Sequence, residues 1–434
     1  MSSHKWHWLH SPITGGVLLV IAATIALLWA NIAPDHYHHV WHNTLWEVST
    51  GLSDKIHQIN LHKIANEFLM AIFFFFIGLE IKRELLDGEL SSVQKAALPL
   101  FAALGGVILP AGIYYVMNAG LPTANGWGIP MATDIAFALG VLAIVGSRVP
   151  VTLKVFLSAL AIGDDLMAVI VIAIFYTEQI FMNELMVGIA GLVILGIANR
   201  LGVRNNIFYY GVGLIIVWIS FLASGVHATV AGVAVAFTIP SRREISMTSY
   251  LDQAKKLLSG LEDDRHCEKD VLSRHAIKSL KKIKALSYQA ANPLQLKEDA
   301  LHPLATLIIV PFFALGNAGV IIDSSMLNEL TNPVVLGIAA GLIVGKPLGI
   351  LLFTKLLILL KWGSLPKGVT WTHVIGAGFL AGIGFTMSLF ITDLAFSDPQ
   401  HQIIAKVAVF VASLISGIIG YIILVRAKPI AETA

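Results

Sequence analysis

Four charged residues lie near the middle of long apolar stretches of this sequence: Asp134, Asp164, Asp165 and Lys346. A charge at the centre of a bilayer costs at least about 2.5–3.5 kcal/mol on insertion scales, so each needs a partner or a purpose. A helix rises about 1.5 Å per residue, which places Asp164 about 15 Å beyond the flanking Lys154. Asp134 lies about 10 Å beyond Trp127, and Lys346 about 20 Å beyond Pro333, on the same scale. All four fall near one midplane. Asp164 and Asp165 are adjacent, so they point about 100° apart on a helix. One can face a water-filled cavity while the other meets a partner, and Lys346 is the expected partner of Asp165. A purely structural ion pair fits poorly, because two aspartates and one lysine leave a charge uncompensated. Neighbouring carboxylates in a low dielectric titrate as a coupled pair, and their dehydrated oxygens suit a small hard cation. A site that takes either a proton or a cation is the least machinery that exchange requires.

The elements that must hold these residues are membrane helices. Apolar residues make up 56% of the 434-residue chain and charged residues 13%, about half the charged share of a soluble domain. This excludes a soluble globule, a disordered chain and a basic nucleic-acid binder. The single Cys267 excludes an intrachain disulfide and a cysteine-built metal site. A span needs about 20 apolar residues. Twelve stretches fit: 13–32, 65–83, 97–117, 127–147, 152–176, 183–199, 206–222, 225–240, 302–322, 333–358, 372–394 and 402–424. The first runs too long for a cleavable signal peptide and lacks its small-residue exit. With the N-terminus inside, twelve Lys/Arg fall in the inner termini and short inner loops. Only Lys55, Lys63 and Lys406 fall outside. Both termini are therefore expected in the cytoplasm.

Two hydrophilic segments interrupt this pattern. One, about 241–300, carries twelve Lys/Arg and nine Asp/Glu. Leu251, Ala254, Leu257, Leu258 and Leu261 are at helical spacing, which predicts a surface helix within a solvated cytoplasmic insert. The other is the first outer loop, about 33–64, with His36, His38, His39 and His42. These histidines are expected to hydrate or cap rather than to bind a metal.

Spans 4 and 11 are poor helices at membrane depth. Span 4 contains Pro130 and the polar pair Thr133-Asp134; span 11 contains Gly376, Gly378, Gly382 and Gly384. Helix breaks at that depth persist where they line a cavity or are buried in protein. The broken spans hold equivalent places in two three-helix groups, 97–176 and 333–424. Equivalent spans of the two groups are seven apart, an odd number, so the second is inverted relative to the first, the inverted-repeat plan of secondary transporters. Asp134 would then neutralise two positive half-helix N-termini, and Lys346 two negative C-termini.

These residues resemble the bacterial NhaA-type sodium/proton antiporters. The resemblance rests on eight stretches in one consistent order: Gly78-Leu-Glu-Ile-Lys-Arg-Glu84, Ala132-Thr-Asp-Ile-Ala-Phe-Ala138, Ala161-Ile-Gly-Asp-Asp-Leu166, Ser224-Gly-Val-His-Ala-Thr229, Leu301-His-Pro303, Gly316-Asn-Ala-Gly319, Gly345-Lys-Pro-Leu-Gly349 and Gly382-Ile-Gly-Phe-Thr-Met387. It implies an all-α membrane protein of about twelve helices, with inverted repeats and discontinuous spans 4 and 11 that cross. It implies a core bundle, about 97–176 and 333–424, and an interface bundle, about 13–83 and 183–322. The implied activity is electrogenic, pH-regulated export of Na⁺ or Li⁺ against H⁺ by alternating access, across a bacterial inner membrane and without a cofactor. Asp164 and Asp165 would bind the ion and the protons. Asp134, Thr133 and Lys346 would support the crossing, with Lys346 bridged to Asp165. Glu80, Arg83, Glu84, Glu298, His302 and His227 would sense pH. A homodimer is implied, joined through the first outer loop.

The chain departs from that family at the long insert and at Asp299, where a histidine is typical. Both lie beside the sensing residues, so they bear on the pH set-point before the transport. Asp393 fits no family role and is expected to form a surface pair with Lys406. Two other readings compete. Ala161-Ile-Gly-Asp164 is slightly similar to the motif of an intramembrane aspartyl protease, with Asp134 as its second aspartate, although Lys346 would trap a catalytic carboxylate. A channel or another solute transporter would share the fold but lack proton coupling.

Overall fold

The fold, taken from a computed structural model, is described over residues 12–49, 56–177, 180–261, 273–323 and 329–427. Among these residues ten helices are long and apolar enough to cross a membrane. A pair bent by 45°, Trp371–Ala381 and Phe385–Ala395, forms an eleventh span, and the apolar helix Ala228–Thr238, shorter than a span requires, stands where the eighth of the twelve expected was placed. In chain order the spans are Pro12–Ile32, Leu61–Asp87, Val93–Met117, Pro122–Arg148, Val151–Phe175, Met182–Arg200, Asn206–Ser224, Ala228–Thr238, Pro293–Asn317, Pro333–Leu359, the bent pair, and Pro399–Arg426. We call the face at which span 1 begins the inner face.

Three spans begin with the same local device. Asn292, Asn332 and Asp398 each cap a helix with a side-chain oxygen, and a proline occupies the next position. The cap satisfies a free N–H of the first turn, and proline there lacks only an N–H that would go unpaired. Span 9 thus starts at Pro293, nine residues before the expected 302. The final turns of the expected insert are therefore the stem of that span. Span 8, expected over 225–240, is a helix of only 11 residues.

Spans 3 and 10 meet back to back. A Cβ on Gly105 would lie 2.3 Å from the Gly349 carbonyl, and one on Gly349 would lie 2.0 Å from that of Gly105. Only glycine permits this approach, which small residues favour in lipid. Span 5 is two-thirds buried over its apolar window (67%), whereas span 6 is 22% buried. The aspartate-bearing helix thus runs through the middle of the molecule and span 6 along its edge. Four spans contain wide π turns: Ile64–Leu69, Val212–Trp218, Ala305–Ile309 and Gly341–Gly345. The last directly precedes Lys346. No sequence pattern announced them, although such turns favour functional positions.

Outside the spans, the first outer loop holds a short helix, Pro34–His42, and an antiparallel hairpin pairing Trp46 with Ile59 and Ser49 with Ile56. The helix is seated by the Tyr37 hydroxyl, which reaches the carbonyl oxygens of Leu315 and Gly316 at 2.8 and 2.9 Å. Burial and the positive charges of His62, His38 and Lys406 push the His42 imidazole down to about 4, so it is neutral at pH 7. In the insert the expected surface helix is Met247–Ser259, and a second helix, Arg274–Ala290, packs against it. A contact of 3.0 Å between the Tyr250 and Ser287 hydroxyls joins the two. Residues 262–272, and Cys267 with them, lie outside the described residues.

Candidate ion and proton site

The site forms where spans 4 and 11 both lose their helix. Span 4 enters as a 3₁₀ helix, Pro122–Met131, becomes extended over 132–134, and resumes as an α-helix at Ile135. Span 11 breaks between Ala381 and Phe385. The two breaks touch: the Asp134 N–H donates to the Ile383 carbonyl at 2.7 Å. Of the four glycines of span 11, only Gly382 and Gly384 lie in the break. A Cβ on Gly382 would meet the Leu342 carbonyl at 2.4 Å, so the break is wedged against span 10. Gly376 and Gly378 remain helical.

Asp134 caps both resumed helices. One oxygen accepts from the Phe137 N–H at 3.0 Å, in the first turn of the second half of span 4. The other accepts from the Thr386 N–H at 3.2 Å and its hydroxyl at 2.5 Å, in the first turn of the second half of span 11. This is the placement expected of a residue that neutralises two helix N-termini. Lys346 answers at the opposite ends, but over one helix only. Its ammonium donates to the Met131 carbonyl, at the end of the first half of span 4. At the end of the first half of span 11, the Ala381 carbonyl lies 2.7 Å from the Thr133 hydroxyl.

Lys346 pairs with Asp164, not with Asp165 as expected: its Nζ lies 2.7 Å from Asp164 Oδ2, and both side chains are fully buried. The same oxygen is 2.6 Å from the Thr133 hydroxyl, which donates to it or to Ala381. Asp164 thus faces the crossing. Asp165, turned about 100° away, faces a cavity of about 110 Å³ with Glu80, Thr133, Asp134 and His302. The cavity also touches Gly15, close to the start of span 1, so it runs from the crossing toward the inner face. Both aspartates are 1% exposed. The Oδ1 atoms of Asp164 and Asp165 are buried and meet no hydrogen-bond partner among the described residues. An unmet buried acceptor costs about 1–3 kcal/mol, more when charged. A proton or a small cation removes that penalty. Among the described residues no group of three or more His, Cys, Asp or Glu side chains is placed to hold a resident metal.

The residues expected to sense pH fall in two places. Arg83 Nε is 2.8 and 2.9 Å from the two oxygens of Glu298, which ties the inner end of span 2 to that of span 9. Arg83 also pairs with Glu84 at 2.7 Å. Glu80 and His302 stand nearer the crossing, on the cavity wall with Asp165. A continuous row therefore joins the inner ion-pair cluster to the ion site. His227 is not part of it. It stands at the N-cap position at the far end of span 8, about 18 Å along that helix from Ile239, which Lys82 reaches at the inner face. Asp393 and Lys406 do pair, at 2.8 Å, but not on the surface: their side chains are 9% and 11% exposed.

The sequence model of the family described as Na+/H+ antiporter 1 matches residues 7–424. The chain belongs to the NhaA family of sodium/proton antiporters. A protein of Psychromonas ingrahamii named Na(+)/H(+) antiporter NhaA 1 is 73% identical over 431 residues, 99% of this chain and 98% of its own. The NhaA of Oleidesulfovibrio alaskensis is 46% identical over 413 residues, 95% and 91% of the two chains. Among solved structures, the sodium proton antiporter MjNhaP1 from Methanocaldococcus jannaschii superposes with a TM-score of 0.51 at 14% identity, covering 95% of this chain and 92% of its own. At that identity the likeness concerns the fold alone. The NhaA family is one of transporters and not of enzymes, which sets aside the protease reading. The geometry agrees, since Asp134 spends both oxygens on helix caps.

Proposed function

We propose that this chain is an electrogenic, pH-regulated antiporter that extrudes Na⁺ or Li⁺ in exchange for H⁺ by alternating access. The observation that carries the reading is the pair of unmet carboxylate oxygens on Asp164 and Asp165, beside a cavity running toward one face. With the site open inward, deprotonated carboxylates take one Na⁺. The core bundle, spans 3–5 and 10–12, then shifts against the interface bundle. At the outer face protons displace Na⁺, and the protonated site returns. Coupling follows because both ions compete for the same oxygens. Two carboxylates let more than one proton return per Na⁺, which makes the cycle electrogenic. The excess of Lys/Arg on the inner loops supports cytoplasmic termini in a bacterial inner membrane. Regulation by pH is assigned to Glu80, Arg83, Glu84, Glu298 and His302, which link the inner ends of spans 2 and 9 to the cavity. His227 would act separately, from the outer face.

Proton flux in everted vesicles with an acid interior tests this reading. Added Na⁺ or Li⁺ collapses the gradient, increasingly between about pH 6.5 and 9, and neither ion does so with Asp164→Asn or Asp165→Asn. Normal sodium-driven flux in a well-folded Asp165→Asn protein would overturn it.

A further inference from the structure

Asp393 lies nine residues beyond Gly384, on the second half of span 11. That is about 13 Å from the break, toward the outer face. It takes no part in the ion site, yet it is the hub of a second buried polar cluster. Its Oδ2 accepts from Asn66 Nδ2 at 2.9 Å, and its Oδ1 lies 2.8 Å from Lys406 Nζ. Asn66 is held in turn by Asn317, whose Nδ2 donates to Asn66 Oδ1 at 2.7 Å. His62 Nε2 sits 3.1 Å from Asn317 Oδ1 and 3.7 Å from Asp393. Asp393 and Lys406 stand on spans 11 and 12, and Asn66, His62 and Asn317 on spans 2 and 9. The cluster therefore crosses the boundary between the two proposed bundles.

A buried ion pair is weak structural glue, since apolar residues of similar volume often hold a fold as well. Its position suggests another use. Just inward of it, Phe390 packs against Phe74 and Phe313, with ring centroids 5.7 and 6.2 Å apart, again across spans 11, 2 and 9. The boundary is thus packed with aromatic side chains on its outer side, whereas the cavity beside Asp165 runs toward the inner side. We propose that Asp393, fixed by Lys406 and tied to Asn66, is an outer latch: the Asn66–Asp393 bond holds the ion site shut to the outside and breaks when the core shifts. Asp393 is thus a positioning residue for transport. Lys406 holds and aims the carboxylate, and Asn66 is the partner that releases.

The latch rests on the alternating-access reading, and one assay separates the two. In a Cys267→Ser background, Thr392→Cys places a thiol at a wholly buried position beside the latch. Its labelling by a membrane-impermeant maleimide is followed in right-side-out vesicles without Na⁺, so no transport is needed. Asp393→Asn is expected to speed labelling at least several-fold, and Asp393→Glu, which keeps the charge, to restore most of the slow rate. An unchanged rate in Asp393→Asn, or equal rates in the Asn and Glu variants, overturns the latch. Where Asp393→Asn fails to reach the membrane, Asn66→Ala leaves the ion pair intact; faster labelling then supports the latch and an unmoved rate overturns it. Unmoved labelling together with loss of exchange in Asp165→Asn refutes the latch and spares the transport reading. Exchange that survives Asp165→Asn refutes the reading itself.

Discussion

Asp134 and Asp164 carry the same side chain and do opposite jobs. Asp134 has both oxygens occupied, by the first turns of two half-helices from different spans. Asp164 has one oxygen held by Lys346 and Thr133 and the other unmet among the described residues. The first is fixed as a cap, and the second is left reactive toward a proton or cation. Hydrogen bonds to a charged group contribute about 1.5–3 kcal/mol each. Thr386→Val, which removes one of the three bonds to Asp134, is accordingly expected to destabilise by about 1.5–3 kcal/mol, and Asp134→Ala, which removes all three, by more, read as a fall in Tm of the detergent-solubilised protein. Equal losses in the two would show that the cap on span 4 contributes nothing. The four charges of the crossing were legible in the sequence, because charge in the middle of an apolar stretch is conspicuous; the burial of Asp393 and Lys406 was not. Which aspartate meets Lys346 was not. Sequence fixes the angle between neighbours on a helix but not the helix's rotation against its partners, and that rotation turned Asp164 to the lysine and Asp165 to the cavity.

At the scale of elements, the spans were readable and their irregularities only partly so. Pro130 and Gly382-Ile-Gly384 stand at or beside the two breaks, because proline and glycine weaken a helix interior, although Pro110 and Gly376 show that neither suffices alone. The π turns carry no such residues in spans 2 and 9, and in the hairpin of the first outer loop only Trp46-Glu-Val-Ser49 alternates, over four residues, while Ile56-His-Gln-Ile59 does not. Both arise from tertiary packing rather than from local preference. Glycines also differ in what they do. Gly349 faces the Gly105 backbone, whereas a Cβ at Gly196, on the edge helix span 6, would meet nothing within 4 Å. Overpacking a tight contact typically costs about 1–3 kcal/mol and sometimes more. Ala in place of helical Gly gains up to about 1 kcal/mol. Gly349→Ala should therefore lower the Tm and the yield of folded protein, while Gly196→Ala leaves both unchanged or raises them. The reverse order would place the close contact between spans 3 and 10 in error.

At the scale of the whole molecule, a cavity runs from a single crossing of broken helices toward the inner face, and packed aromatic side chains lie on the outer side of that crossing. The long insert rises from the inner ends of spans 8 and 9. The second of these ends carries Glu298, so the insert adjoins the cluster assigned to pH regulation. On the outer face, the hairpin presents unpaired strand edges and an exposed Trp46, 62% accessible. A lone two-stranded hairpin is marginal in water and a template for pairing. Together with the NhaA resemblance, this supports a homodimer joined at that loop. Deleting residues 45–59 is expected to leave a monomer by native mass spectrometry while Na⁺-driven proton flux persists; a dimer that survives the deletion would move the interface elsewhere. The central claim is that protons and Na⁺ compete for one pair of carboxylates. Calorimetric titration of the purified protein with NaCl across a series of pH values tests it most directly. Linkage requires that apparent Na⁺ affinity fall about tenfold for each unit by which the pH is lowered, per proton displaced, that protons be released on binding, and that both signals vanish in Asp165→Asn. A Na⁺ affinity that stays constant across pH, or survives that substitution, would contradict a shared site.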